Sequence, residues 1–226
     1  MHNLRQYYTQ IIARAHYHHK KHWIPKNIRS FIIGALFLLI ALYAQHLANT
    51  YVVALQGVAV DDLLLSHLPL LNIGGFLIQF SLSIAILIIL CFVYKPKYLN
   101  FGLRALALFI LIRSFFIILT HLGANPQQIV LSPSDIGFGL YNLMFNTSND
   151  YFFSGHTGMP FLMGLIVWHE RVWRYIFLIT TLTMGVTMLI ARMHYSIDVL
   201  AAPFITFSIF CIARFIFPHS YHLTKG

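Results

Sequence analysis

The chain alternates between long apolar runs and short polar breaks. Six runs stand out: Phe31–Ala48, Leu70–Tyr94, Phe101–His121, His156–His169, Tyr175–Ala191 and Tyr195–Phe217. A helix needs about 17–25 apolar residues to cross a bilayer, a length that His156–His169 falls short of and the others reach. Lys95-Pro96-Lys97 stops the second run, Gly123 and Pro126 end the third, and Pro218 ends the last. A long loop, Leu122–Phe153, separates the third run from the fourth. The pattern predicts an all-α fold, an integral membrane bundle of six transmembrane helices. It divides into a juxtamembrane segment (1–30), a membrane domain (31–217) and a tail (218–226). No internal repeat is visible, which argues against a transporter built from inverted repeats.

Composition agrees. Of the 226 residues 58% are hydrophobic and 9% charged, against about 25% charged in an ordinary soluble domain. Too few polar side chains exist to coat a water-facing surface, so lipid must cover most of it. A soluble domain, a disordered chain and a disulfide scaffold are excluded. Cys91 and Cys211 fall inside apolar runs and read as buried small hydrophobes. No cleavable signal sequence is expected, because the first 30 residues are polar and basic.

The net charge of +9 sets orientation. With the N-terminus cytoplasmic, thirteen of the fifteen Lys and Arg fall on the cytoplasmic side; Arg192 lies opposite and Arg113 within the third run. Both termini are then cytoplasmic, and nucleic-acid binding is excluded as a role for this charge. The segment Arg14–Trp23, with four histidines, reads as a basic helix on anionic headgroups rather than a metal tract. The acids run the other way. Asp61, Asp62, Asp135, Asp150 and Asp198 map to the outer half with His46, His67, His121, His156 and His194, whereas Glu170 maps inside. Ionisable groups converging on one end of a bundle mark a functional site, here facing periplasm, lumen or exterior. Asn146-Thr147-Ser148 is a glycosylation sequon on that side. The compact length and short loops point to a bacterial inner (plasma) membrane.

Two stretches carry chemistry. In the second, Arg192-Met193-His194-Tyr195-Ser196-Ile197-Asp198, His194 and Asp198 are four apart and share a helix face. A carboxylate there accepts one imidazole N–H and leaves the other nitrogen free to attack. The other stretch runs from Asp150 to Thr157. Ser154 and Gly155 suit a helix start, whose free N–H groups and positive dipole end form an anion site suited to phosphate. His156 in the same turn has the range to give or take a proton. A descending helix, a short turn and an ascending helix fill the residues between His156 and His194, returning both to one membrane face. Arg192 supplies a cation for phosphate oxygens. Arg113 is a second, placed equally well to pair with an acid such as Asp150.

S-G-H-T at 154–157 and H-Y-S-I-D-V at 194–199 resemble the two signature motifs of sphingomyelin synthases and related lipid phosphotransferases. Those enzymes fall within the superfamily of type 2 phosphatidic acid phosphatases. Asp150-Tyr151 resembles the family's G-D-Y lead-in, Arg113–Pro126 its arginine-bearing third span, and Asp61–Pro69 loosely its first outer loop. The resemblance implies that His194 is the nucleophile and forms a phosphohistidine-type intermediate. It also implies that Asp198 orients His194, and that His156 protonates the leaving lipid alcohol and then deprotonates the acceptor. It implies neither cofactor nor metal. Departures exist. Ser148-Asn149 replaces the usual cysteine-glycine, Met188 stands where the phosphatases carry an arginine, and Lys97–Arg104 matches the phosphatase K-x6-R-P only partly, on the cytoplasmic side. They favour the synthase-like branch. The partners expected are a phospholipid donor, a lipid or water acceptor and the membrane itself. Transfer of a phospho-headgroup between lipids, hydrolysis of the same bond by water, and a non-catalytic lipid binder or scramblase all remain open.

Overall fold

The computed structural model describes residues 24–55, 57–120, 122–145 and 151–225. Asp150, His121, the sequon and the histidine-bearing segment 14–23 lie outside the described residues. The described chain forms α1 (Pro25–Ala54), α2 (Leu63–His67), α3 (Gly74–Tyr94), α4 (Leu99–Thr120), α5 (Phe138–Phe145), α6 (Gly155–Ile166), α7 (Arg171–Ile190), α8 (Ser196–Ile216) and α9 (Pro218–His222). No strand forms among the described residues, though Val58 and Leu122 make an isolated bridge.

Five of the expected spans are long and apolar enough to cross a membrane: α1, α3, α4 with the 3-10 turn before it, α7 and α8. The fourth is α6, with 12 residues. At 1.5 Å per residue it is about 18 Å long, short of an apolar layer about 30 Å thick. Non-helical chain flanks it on both sides. At one end the Tyr151 carbonyl accepts from Thr120 Oγ1 at 3.0 Å, beside the last turn of α4. At the other, Glu170 meets Lys95 at 2.7 Å and Lys97 at 3.7 Å, where α4 begins. Residues 151–170 therefore run beside α4 from end to end.

This segment is the centre of the bundle. Nine of the twelve α6 residues are buried, enclosed by α4, α7 and α8. Gly158 permits the closest approach: a methyl group there would stand 2.8 Å from both Phe109 on α4 and Thr206 on α8. Pro160 has no N–H to offer the His156 carbonyl one turn back. By contrast α1 packs chiefly on α4 and leaves Leu39 and Tyr43 exposed, as a lipid-facing helix should.

The bundle has two chemically distinct ends. The basic end gathers Lys95, Lys97, Glu170 and the start of α1, whose Ser30 carbonyl accepts from Arg104 Nη2 at 2.9 Å. Leu223–Lys225 packs there too, against the turn at Pro96–Tyr98. Both ends of the described chain thus lie at the basic end. The site end holds the connecting loops, both chemistry-bearing histidines, and the carboxylates of Asp62, Asp135 and Asp198.

Candidate active site

The two motif segments meet at the site end. His194 Nδ1 lies 3.3 Å from Asp198 Oδ2, and both side chains are 3% exposed. Asp198 stands in the first turn of α8, where its Oδ2 also accepts the Tyr195 N–H at 3.2 Å. With the proton on Nδ1, the imidazole donates to the carboxylate and Nε2 keeps its lone pair. The ring of His156 lies 6.2 Å from that of His194, centroid to centroid. The segments are joined directly: Ser154 N–H donates to the Asp198 carbonyl at 3.0 Å.

Ser154 caps α6, its Oγ accepting the Thr157 N–H at 3.3 Å, so the dipole's positive end points toward the histidines. Arg113, buried on α4, donates from Nε to the Phe153 carbonyl at 3.1 Å and lies along the Gly155 backbone. A guanidinium, a helix start and two imidazoles are therefore gathered at the start of α6. Such a group can bind an oxyanion and pass a proton across it.

Arg192 is placed differently. Its backbone has φ 53°, a left-handed conformation rare for a side chain this size. From there Nη2 donates to the carbonyls of Leu65 at 3.1 Å and Leu68 at 3.4 Å. These bonds strap the loop around α2 onto the His194 segment. Asp62 adds to the strap: Oδ1 accepts from Leu64 and Leu65, and Oδ2 accepts the Ser196 N–H at 2.6 Å. Burial alone would raise the Asp62 carboxyl, but these hydrogen bonds outweigh it and hold the group below its ordinary value. The Tyr195 phenol accepts the Val60 N–H at 3.3 Å and donates to the Gly123 carbonyl at 2.9 Å.

Two neighbours were given no role from sequence. Tyr141 on α5 places its hydroxyl 3.2 Å from His156 Nε2. Nothing in its local sequence marks it, because the contact is made by folding a loop helix back over α6. Tyr151 meets the His194 ring edge-on at 6.0 Å, and its place beside Asp150 was the available signal. His46 and His67 stand apart from the histidine pair, on α1 and at the end of α2.

Residues 147–215 match the family model of the PAP2 superfamily C-terminal domain. The match supports the type 2 phosphatidic acid phosphatase superfamily. It spans both motif segments and stops within the last turn of α8, covering less than half of the chain. No curated protein and no solved structure matches the chain. A PAP2-type segment among apolar helices of spanning length points to a membrane enzyme of the lipid phosphatase or phosphotransferase type.

Proposed function

We propose that the protein transfers a phospho-headgroup between lipids through a histidine nucleophile, in the manner of the sphingomyelin synthase-like branch. The observation that carries the reading is the pair of imidazoles 6.2 Å apart, one held by Asp198. His194 Nε2 attacks phosphorus, and the bond from phosphorus to the donor lipid's alcohol oxygen breaks. His156 gives that oxygen its proton, leaving a phosphohistidine. An acceptor alcohol then loses its proton to His156 and attacks the same phosphorus, and His194 leaves. Arg113 and the α6 N–H groups offset the charge on the phosphoryl oxygens. Arg192 holds the Leu65 and Leu68 carbonyls through Nη2, while its buried Nε has no hydrogen-bond partner among the described residues and is left to meet a phosphoryl oxygen. Burial of both histidines, 8% and 3% exposed, favours a lipid alcohol over water as acceptor.

The reading includes six crossings, with both termini cytoplasmic and the site on the periplasmic or outer face. The end-to-end course of residues 151–170 and the segregation of Lys and Glu170 from the histidines support it.

The test supplies purified protein with a phospholipid labelled at phosphorus, with and without diacylglycerol or ceramide. Label moving to the added lipid supports transfer. Water-soluble label alone supports hydrolysis. No movement between pH 5 and 8 leaves a binder. His194→Ala should abolish turnover and Asp198→Asn should lower it by about 10²–10⁴, with both proteins still folded by thermal unfolding. Wild-type rates in either variant would remove the proposed roles.

A further inference from the structure

A cavity of about 240 Å³ opens beside His156. It is lined by Leu38 of α1, Ile84 and Ile88 of α3, Ile110 of α4, Met159 of α6 and Met184 of α7, and it reaches Gly155 and His156. Apart from His156 and Ser81, whose buried hydroxyl has no hydrogen-bond partner, the lining side chains are apolar. Packed interiors hold few voids larger than a water molecule, and apolar ones stay dry or take hydrocarbon. The void is not sealed: Leu42 and Ile89 line it and are exposed on the lipid-facing surface, so its mouth lies between α1 and α3.

A second cleft, of about 610 Å³, adjoins the first. Gln45, His46, Asn49 and Thr50 of α1 face Leu143 and Met144 of α5 across it. Leu42 and Met144 line both spaces. One compartment is hydrocarbon-like, its neighbour carries amides, a hydroxyl and an imidazole, and the two join beside a histidine. That juxtaposition fits an amphiphile.

We infer that the apolar cavity holds an acyl chain of the lipid substrate, taken in sideways between α1 and α3, with the phosphate at its Gly155 and His156 end and the uncharged remainder of the polar part extending toward Gln45, His46 and Thr50. The inference rests on the lipid-transfer reading and specifies how its substrate is bound. Each methylene buried adds to affinity, so turnover should favour long chains over short ones.

Two measurements test it on the full-length protein in proteoliposomes. In the first, turnover is compared for phospholipids of one headgroup with short or long chains, in wild type, Ala85→Phe and Leu42→Trp. Ala85 is half-buried and Leu42 is exposed at the mouth, so neither change threatens the core. Long-chain kcat/KM should fall about tenfold or more in the variants, the equivalent of losing two or three buried methylenes, while short-chain kcat/KM stays near wild type. In the second, a phospholipid with a photoactivatable group at its chain end should label Ile88 or Met184. Equal turnover of both chain lengths in all three proteins, or labelling confined to lipid-facing residues outside the cavity, overturns the inference and leaves the reaction standing. Labelling inside the cavity without turnover of any phospholipid supports the binding mode and removes the reaction instead.

Discussion

A methyl group on residue 155 would stand 3.1 Å from Arg113 Nε and 3.3 Å from Cζ, so the missing side chain makes room for the guanidinium against the α6 start. Gly155→Ala should therefore push Arg113 aside and lower kcat about tenfold or more, with a stability loss of about 1–3 kcal/mol at most. Labelled-phosphate transfer and thermal unfolding, run on one preparation, check both halves. Arg192 invites the opposite expectation. Its Nη2 holds two backbone carbonyls, so Arg192→Lys should cost about 1–3 kcal/mol of stability while reducing turnover far less than His194→Ala. A loss equal to that of His194→Ala, at unchanged unfolding temperature, would make phosphate the chief partner of Arg192 instead. The spacing made the His194–Asp198 pair legible but not the way it is made: His194 precedes α8, and Asp198 in the first helical turn reaches back to it and to the Tyr195 N–H, so the two do not share a helix face. The sequence assigned Arg192 to phosphate and gave no sign of the Leu65 and Leu68 carbonyls that its Nη2 holds, because those contacts depend on a positive φ and on where a loop some 125 positions away in the chain comes to rest. Tyr141 was illegible for the same kind of reason.

Among the elements, the long apolar spans were readable because length and hydropathy determine them. The short α6 was readable only as an anomaly: it is enclosed by neighbouring helices rather than by lipid, with bent chain before it and a turn after it. The loop around α2 is held over the His194 segment by Asp62, Arg192 and the bond from Leu71 N–H to the Ile190 carbonyl. The Asp62 carboxyl is held below its ordinary value of 3.8, so its charged form favours the folded state. That contribution is complete above pH 3.8 and fades as pH falls through the lowered folded value. Asp62→Asn should thus lower the unfolding temperature at neutral pH, and the gap from wild type should close below pH 3.8. A gap independent of pH would show that the charge is not what closes the loop.

For the whole molecule, the separation of charges between the two ends predicts sidedness. Ser134 is exposed in the loop before α5, at the site end. With Cys211 replaced, Ser134→Cys should react with an impermeant thiol reagent added outside intact cells. Reaction only after the membrane is opened would invert the orientation. The segregation was readable from composition and order, since the positive-inside count needs no coordinates. What the structure adds is depth. Arg113 stands seven residues before Thr120, about 10 Å along α4, and the non-helical stretch from Tyr151 to Ser154 descends that interval before α6 begins. The phosphorus would have to be reached some two helical turns beneath the rim of the bundle, where headgroups do not ordinarily sit, so the thickness of the surrounding bilayer becomes part of the geometry of the reaction.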